Sequence, residues 1–271
     1  AKPEKAKPRI KEPVCFLAQD TTLNVMQSTN GRLLMALTDG GVQHFFAGAR
    51  ANVGVTSGRY MFEVRVVEHM CPSEDRSAKQ SLPRPRNAVR VGFSTAGSSL
   101  IMGGDSSETY ACFDGECAFM HEGKRGPKGA RVQRGDVLAV LLNLDEASPN
   151  KNTLSLFRGG VRVSQPQPLP EGLKGKALYP TISFKAMTLD VHFGVEPIAP
   201  LPFACRMVQD ASQKDSAITA SAAPKNGKGE LIVPVGLPDE GLFDWLDMFL
   251  EKNPGYTELS DRMILDWAER S

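Results

Sequence analysis

Several things are scarce in this chain of 271 residues, and each scarcity narrows the reading. No apolar run approaches the length of about 18 residues that a membrane span needs. An excess of one charge sign is also missing: 32 Lys and Arg stand against 31 Asp and Glu, a formal net charge of +1. Such a balance supplies no overall field to draw in nucleic acid or anionic lipid, so binding of that kind would need a local patch. Cysteine is sparse and odd in number, at five, which argues against a disulfide framework. No Asn-x-Ser/Thr acceptor occurs, in keeping with an intracellular setting. The first residues, Ala1-Lys2-Pro3-Glu4-Lys5, lack the apolar core of a secretory signal. Tryptophan occurs only at 245 and 267.

What is present divides into four zones. Residues 1–13 are rich in Lys and Pro and read as a basic, flexible arm. Residues 14–205 are dense in Gly, β-branched residues and short alternating runs. Residues 206–230 are largely small and polar, as in a flexible linker. Residues 231–271 return to helical periodicity. There Leu242, Trp245, Leu246, Phe249 and Leu250 share one face of a helix stopped by Asn253-Pro254-Gly255. Leu259, Met263, Ile264 and Trp267 mark a second helix.

The long second zone reads as β. Tyr60, Phe62, Val64 and Val66 alternate with Met61, Glu63 and Arg65. Val89, Val91 and Phe93 alternate with Arg90 in the same way. Val137 to Leu142 is continuously apolar, as suits a strand covered on both faces. Thr153–Phe157 and Val161–Val163 flank Arg158-Gly159-Gly160, a hairpin signal. Short strands at close spacing predict an antiparallel two-sheet sandwich or a barrel.

Six ordered segments of this zone resemble a SPRY domain. They are Gly54–Val64, Val89–Ser94, Tyr110–Gly115, Gly135–Val137, Leu154–Gly160, and Leu178-Tyr179-Pro180 leading to Val191-His192-Phe193-Gly194. Within the family the likeness is to the heterogeneous nuclear ribonucleoprotein U-like subclass. It is carried by the Arg90–Ser94 strand, by Leu100-Ile101-Met102-Gly103 and by the long stretch from Leu178 to Gly194. The resemblance implies a bent, all-β antiparallel sandwich of SPRY/concanavalin-like type, to which the periodicity of residues 231–271 adds a short C-terminal helical extension. It further implies a non-catalytic module, without cofactor or metal, that holds a protein or peptide segment through rim loops. A nuclear, RNA-associated setting follows from the subclass, with the cytoplasm as the alternative, for a monomeric domain with no membrane association. The phosphate-binding loop of the kinase-like domain in that subclass is missing from these residues.

On that reading Arg50, Asn52, Thr56, Leu100, Met102, Lys185 and Met187 are the candidate partner-binding residues. Apolar side chains among loop donors suit an extended peptide. The competing reading is that Leu100, Ile101 and Met102 only fill the edge of the sandwich. A second class of function is direct RNA binding through the arm and the basic loops. The 71–87 insert carries Arg76, Lys79, Arg84 and Arg86 against Glu74 and Asp75, and the 122–134 stretch adds Lys124 and Arg125. The insert has no aromatic residue on which a base could stack. A third reading is a carbohydrate-type ligand. Cys112, Cys117 and His121 lack the usual spacing of a metal site; Asp114-Gly115 reads as a two-residue turn that sets Cys112 opposite Cys117. No nucleophile elbow is present, and Glu63 and Glu68 fall on opposite faces of a strand, which argues against an enzyme.

Overall fold

The computed structural model describes residues 8–38, 42–70, 86–104, 106–219 and 244–258. Two sheets stack face to face. The first runs, in spatial order, Phe16–Thr21, Ala47–Ala51, Tyr179–Lys185, Ala88–Ser94, Tyr110–Asp114, Phe119–His121 and Lys124–Arg125. The second runs Val161–Arg162, Thr153–Arg158, Val137–Leu144, Gly58–His69, Met187–His192, Leu33–Ala36 and Val25–Gln27. Neighbours along both paths pair antiparallel. A two-residue strand, Arg206–Met207, is the exception: it lies parallel to Tyr60 and Met61.

Alternation decides which side chains meet. Phe62, Val64, Leu138, Val140, Leu142, Leu154 and Leu156 of the second sheet face Val89, Val91, Phe93, Ile182 and Phe184 of the first, all fully buried or nearly so. Rings lock the layers together: Phe62 packs edge-on to Phe93 with centroids 5.4 Å apart, and Phe193 sits 5.9 Å from Phe62.

The continuous apolar run at Val137 has the predicted cause. Ala139 and Leu141 point away from the central core and join Met61, Phe157 and Met207 in a second apolar cluster on the outer face. The segment from Glu196 to Cys205 covers that cluster. Its amides at Ile198 and Ala199 donate to the carboxylate of the fully buried Glu63, at 2.5 and 2.9 Å. A cleft of about 420 Å3 remains between Met61 and this proline-rich cover.

Two boundaries read from composition shift. The basic arm was expected to end at Pro13 and the linker to begin at 206. Instead the Ile10 amide donates to the Ala211 carbonyl, Gln213 to the Pro8 carbonyl, and Arg9 pairs with Asp210 at 2.5 Å. Ser216–Ile218 then pairs with Val53–Val55. The Tyr60 hydroxyl donates to Asp215 and accepts the Ser212 amide, which fixes this segment on the sandwich. The first compact unit accordingly runs to Ala220. Small polar residues gave a linker composition, but their hydrogen bonds to the arm are long-range and leave no local pattern.

The second unit contains one described helix, Asp244–Lys252. It ends where the sequence predicts: the Asn253 side chain caps the Phe249 carbonyl at 2.8 Å, and Phe249 packs on Tyr256. Leu242 and the second helix, expected around Leu259 to Trp267, lie outside the described residues.

Candidate partner-binding rim

The loop between Ser94 and Tyr110 does not project from the rim. It folds back across the outer face of the first sheet, and the outward-pointing side chains of that sheet hold it there. Arg50 is 1% exposed. Its guanidinium donates to Ser94 Oγ at 3.0 Å, Asp20 Oδ1 at 3.0 Å, the Ser98 carbonyl at 2.5 Å and the Ser99 carbonyl at 3.3 Å. Burial lowers its pKa and the Asp20 carboxylate raises it again. Ser183 Oγ donates to the Leu100 carbonyl at 2.8 Å and accepts the Met102 amide at 3.0 Å. Arg90 donates to the Met102 carbonyl. Beneath the loop, Met102 packs with Tyr110, Cys112 and Met120. Gly48 permits the crossing, since a Cβ there would stand 2.5 Å from the Leu100 carbonyl oxygen.

This changes the assignment of the seven predicted residues. Arg50, Met102 and Met187 are buried and offer no side-chain surface: the first ties down the loop, the second fills the space beneath it and the third belongs to the central core. Asn52 is 8% exposed and bonds the Cys15 amide and the Pro13 carbonyl. Thr56 is exposed and Leu100 and Lys185 are half-buried. The seven do not form one surface. Lys185 lies across from Ala88, whereas Asn52 and Thr56 follow the Ala47–Ala51 strand toward the Tyr179 end of the same pair.

Lys185 keeps company that the candidate set missed. The half-buried Phe46 ring lies close to two cations, with Arg90 Cζ at 4.2 Å and Lys185 Nζ at 5.1 Å from its centroid. Burial pushes the Lys185 ammonium below its ordinary pKa, and the Arg90 charge adds to this. Arg90 was visible as the outward residue of an alternating strand. Nothing in the sequence tied it to Phe46 and Lys185, which are far off along the chain.

The basic candidates separate into two sets. Arg125 pairs with Asp114 and Glu116, and Lys124 with Glu122, so these cations are already neutralised. Arg86, Arg131 and Arg134 are exposed; Arg131 donates to the Asn87 carbonyl and Arg134 to the Val67 carbonyl. Arg76, Lys79 and Arg84 lie outside the described residues.

Cys112 and Cys117 are not cross-strand partners. Cys112 faces Met120, and Cys117 stands in the turn itself with φ at 56°. The Asp114 side chain accepts the Glu116 and Ala118 amides and so closes a three-residue loop instead of the predicted two-residue turn. Among the described residues, no group of three or more His, Cys, Asp or Glu side chains is placed to hold a metal ion. Likewise no described helix is long and apolar enough to cross a membrane.

Fold and loop arrangement together define an antiparallel two-sheet sandwich whose outer faces are covered by its own long connections. The comparisons with known proteins then meet the expected relatives. The chain is 29% identical over 217 residues to heterogeneous nuclear ribonucleoprotein U-like protein 2 of Mus musculus, a match covering 77% of this chain. It is 28% identical over the same length to the Homo sapiens protein of that name. The match takes in 27% of each relative's length, so the chain corresponds to about a quarter of them. Among solved structures, the SPRY domain of human HERC1 aligns with a TM-score of 0.45 at 17% identity, over 65% of this chain and 96% of that one. The TRIM65 PSpry domain aligns at 0.43 and 15% identity, over 66% and 89%. No family model matches the chain.

Proposed function

We propose that this chain is a non-catalytic protein-interaction module of an RNA-associated nuclear protein, holding a partner segment at the end of the first sheet where Leu100 and Lys185 reach the surface. One observation carries the reading. The Ser98–Gly104 loop is fastened to the sheet by buried Arg50, by Ser183 and by Arg90, so its half-exposed residues are held in a fixed arrangement before any partner arrives. Such preorganisation lowers the ordering cost of binding. The similarity to the ribonucleoprotein U-like proteins supports the nuclear, RNA-associated setting.

The test is affinity capture from nuclear extract on the wild type beside a Leu100→Asp, Lys185→Glu double variant. Loss of a reproducible set of partners on the variant is expected. Retention of the same set on both proteins overturns the rim assignment.

Direct RNA contact is the second reading, and we assign it to Arg86, Arg131 and Arg134 because Lys124 and Arg125 are already paired with carboxylates. These three are exposed and, among the described residues, none is in an ion pair with a carboxylate. Charge reversal at Arg131 and Arg134 should weaken RNA binding and flatten its salt dependence, and should spare peptide capture.

A further inference from the structure

We infer that Arg90 and Lys185, on neighbouring strands and both within reach of the Phe46 ring, form a subsite for a single acidic side chain of the partner segment. The inference rests on the rim reading above and adds the chemistry of what is recognised there.

Two like charges share one aromatic ring, both half-buried. Such an arrangement costs free energy unless an anion joins it. Among the described residues no carboxylate forms an ion pair with either cation, although the Asp114 charge acts on Arg90 from a distance. Arg90 spends a donor on the Met102 carbonyl, and Lys185 reaches the His44 carbonyl at the long distance of 3.4 Å. A guanidinium has five donors and an ammonium three, so among the described residues most of this capacity has no hydrogen-bond acceptor. The nearest acid by strand register, Asp114 opposite Arg90, is committed to Arg125 and to two turn amides. The Lys185 ammonium, depressed by burial and by Arg90, is in the state that an incoming carboxylate would relieve.

Peptide is favoured over nucleic acid by two features. The Phe46 ring already carries cations and is not free as a platform for a base. The two charges are also gathered around one ring, not strung along a groove as a phosphate backbone requires. Half-exposed Leu100, on the loop tied to Arg90 through Met102, supplies an apolar contact beside the acid. The recognised element is then an acidic residue next to an aliphatic one.

The full chain, isotope-labelled for amide NMR, would be titrated with acetyl-Leu-Glu-Glu-Leu-amide, with its Gln-Gln counterpart and with an oligouridine. The Glu peptide should shift the amides of Phe46, Arg90, Gly103 and Lys185 and bind about tenfold more tightly than the Gln peptide, the ratio expected of a charge-assisted contact. Lys185→Gln should lose that ratio, and Lys185→Arg should keep most of it. Equal affinity for the two peptides, an unchanged ratio in Lys185→Gln, or shifts at these amides with the oligouridine alone would each overturn the subsite. The rim reading fails separately. If Leu100→Asp releases the captured partners and Lys185→Gln does not, the rim stands and the acidic subsite falls. If the Glu peptide behaves as expected while Leu100→Asp, Lys185→Glu keeps every captured partner, the subsite stands and the rim assignment falls.

Discussion

The outer faces of the two sheets are both covered, but by opposite means. On the first sheet the cover is fastened by buried polar groups: Arg50, Ser183 and Arg90 each bind a backbone carbonyl of the crossing loop. On the second sheet the cover is mainly apolar, with Met61, Ala139, Leu141 and Phe157 under Leu201 and Phe203, and one carboxylate, Glu63, as its anchor. Each cover crosses a glycine. A Cβ at Gly48 would stand 2.5 Å from the Leu100 carbonyl oxygen, and one at Gly160 the same distance from that of Pro200. Apolar covers are stabilised by area and tolerate small shifts, because the hydrophobic effect has no direction. Polar covers are stabilised by directed bonds between desolvated groups, where loss of one partner strands the other. The polar cover is therefore the one suited to hold loop atoms at a fixed geometry, and it is the one that carries Leu100.

The largest effects should come from removing the centre of each cover. Phe157→Ala empties the middle of the apolar cluster and should cost about 4 kcal/mol. Arg50→Met keeps most of the volume but strands Asp20 and two loop carbonyls, at about 3 kcal/mol. Denaturant midpoints measure both. The comparison is sharpened by partner capture, which Arg50→Met should weaken and Phe157→Ala should leave intact at temperatures where each variant stays folded. Equal loss of capture in both would mean that the polar fastening has no special link to the rim.

The sequence showed the strands and their inward faces well, and the covers poorly. Alternation at Tyr60 and Val89 reports burial on one side of a strand, and the apolar run at Val137 reports burial on both. Neither says what lies on top. Arg50 read as a rim cation because the resemblance puts the segment from Gly48 to Asn52 among the rim loops; its burial depends on Asp20 and Ser98, contacts far along the chain. The cover from Glu196 to Cys205 has prolines in place of periodicity, so it left no strand or helix signal. Arg125 read as part of a basic patch because its partners Asp114 and Glu116 belong to the neighbouring turn, and Lys124 because Glu122, two residues before it, was not set against it. The misplaced Cys112–Cys117 pair has a local cause: the Asp114 carboxylate competes for turn amides and lengthens the loop by one residue.

Smaller effects should come from the two glycines, and these probe the covers one at a time. Gly48→Ala presses a methyl group against the Leu100 carbonyl and should cost about 2 kcal/mol. Its loss of amide-exchange protection should be confined to the Met102 region. Gly160→Ala meets the Pro200 carbonyl and also places a side chain at φ 80°. It should cost about as much and loosen the segment near Phe203. Protection lost across both outer faces in either variant would show that the covers open together with the whole sandwich.

The smallest perturbation uses the protein's own thiols. Cys112 lies fully buried beneath the polar cover, its pKa pushed up to about 12 by desolvation. Cys205 lies in the apolar cover, part-exposed, its pKa pushed up to about 11 by burial. At neutral pH both are protonated, and alkylation must wait for the covering segment to open and the thiol to ionise in water. Under native conditions Cys205 should react before Cys112, and peptide mapping separates the two from the other thiols. Gly160→Ala should then speed Cys205 without touching Cys112, and Gly48→Ala should do the reverse. If either glycine variant speeds both thiols by the same factor, the two covers are one cooperative unit, and the fixed geometry at Leu100 belongs to the fold as a whole and not to Arg50 and its neighbours.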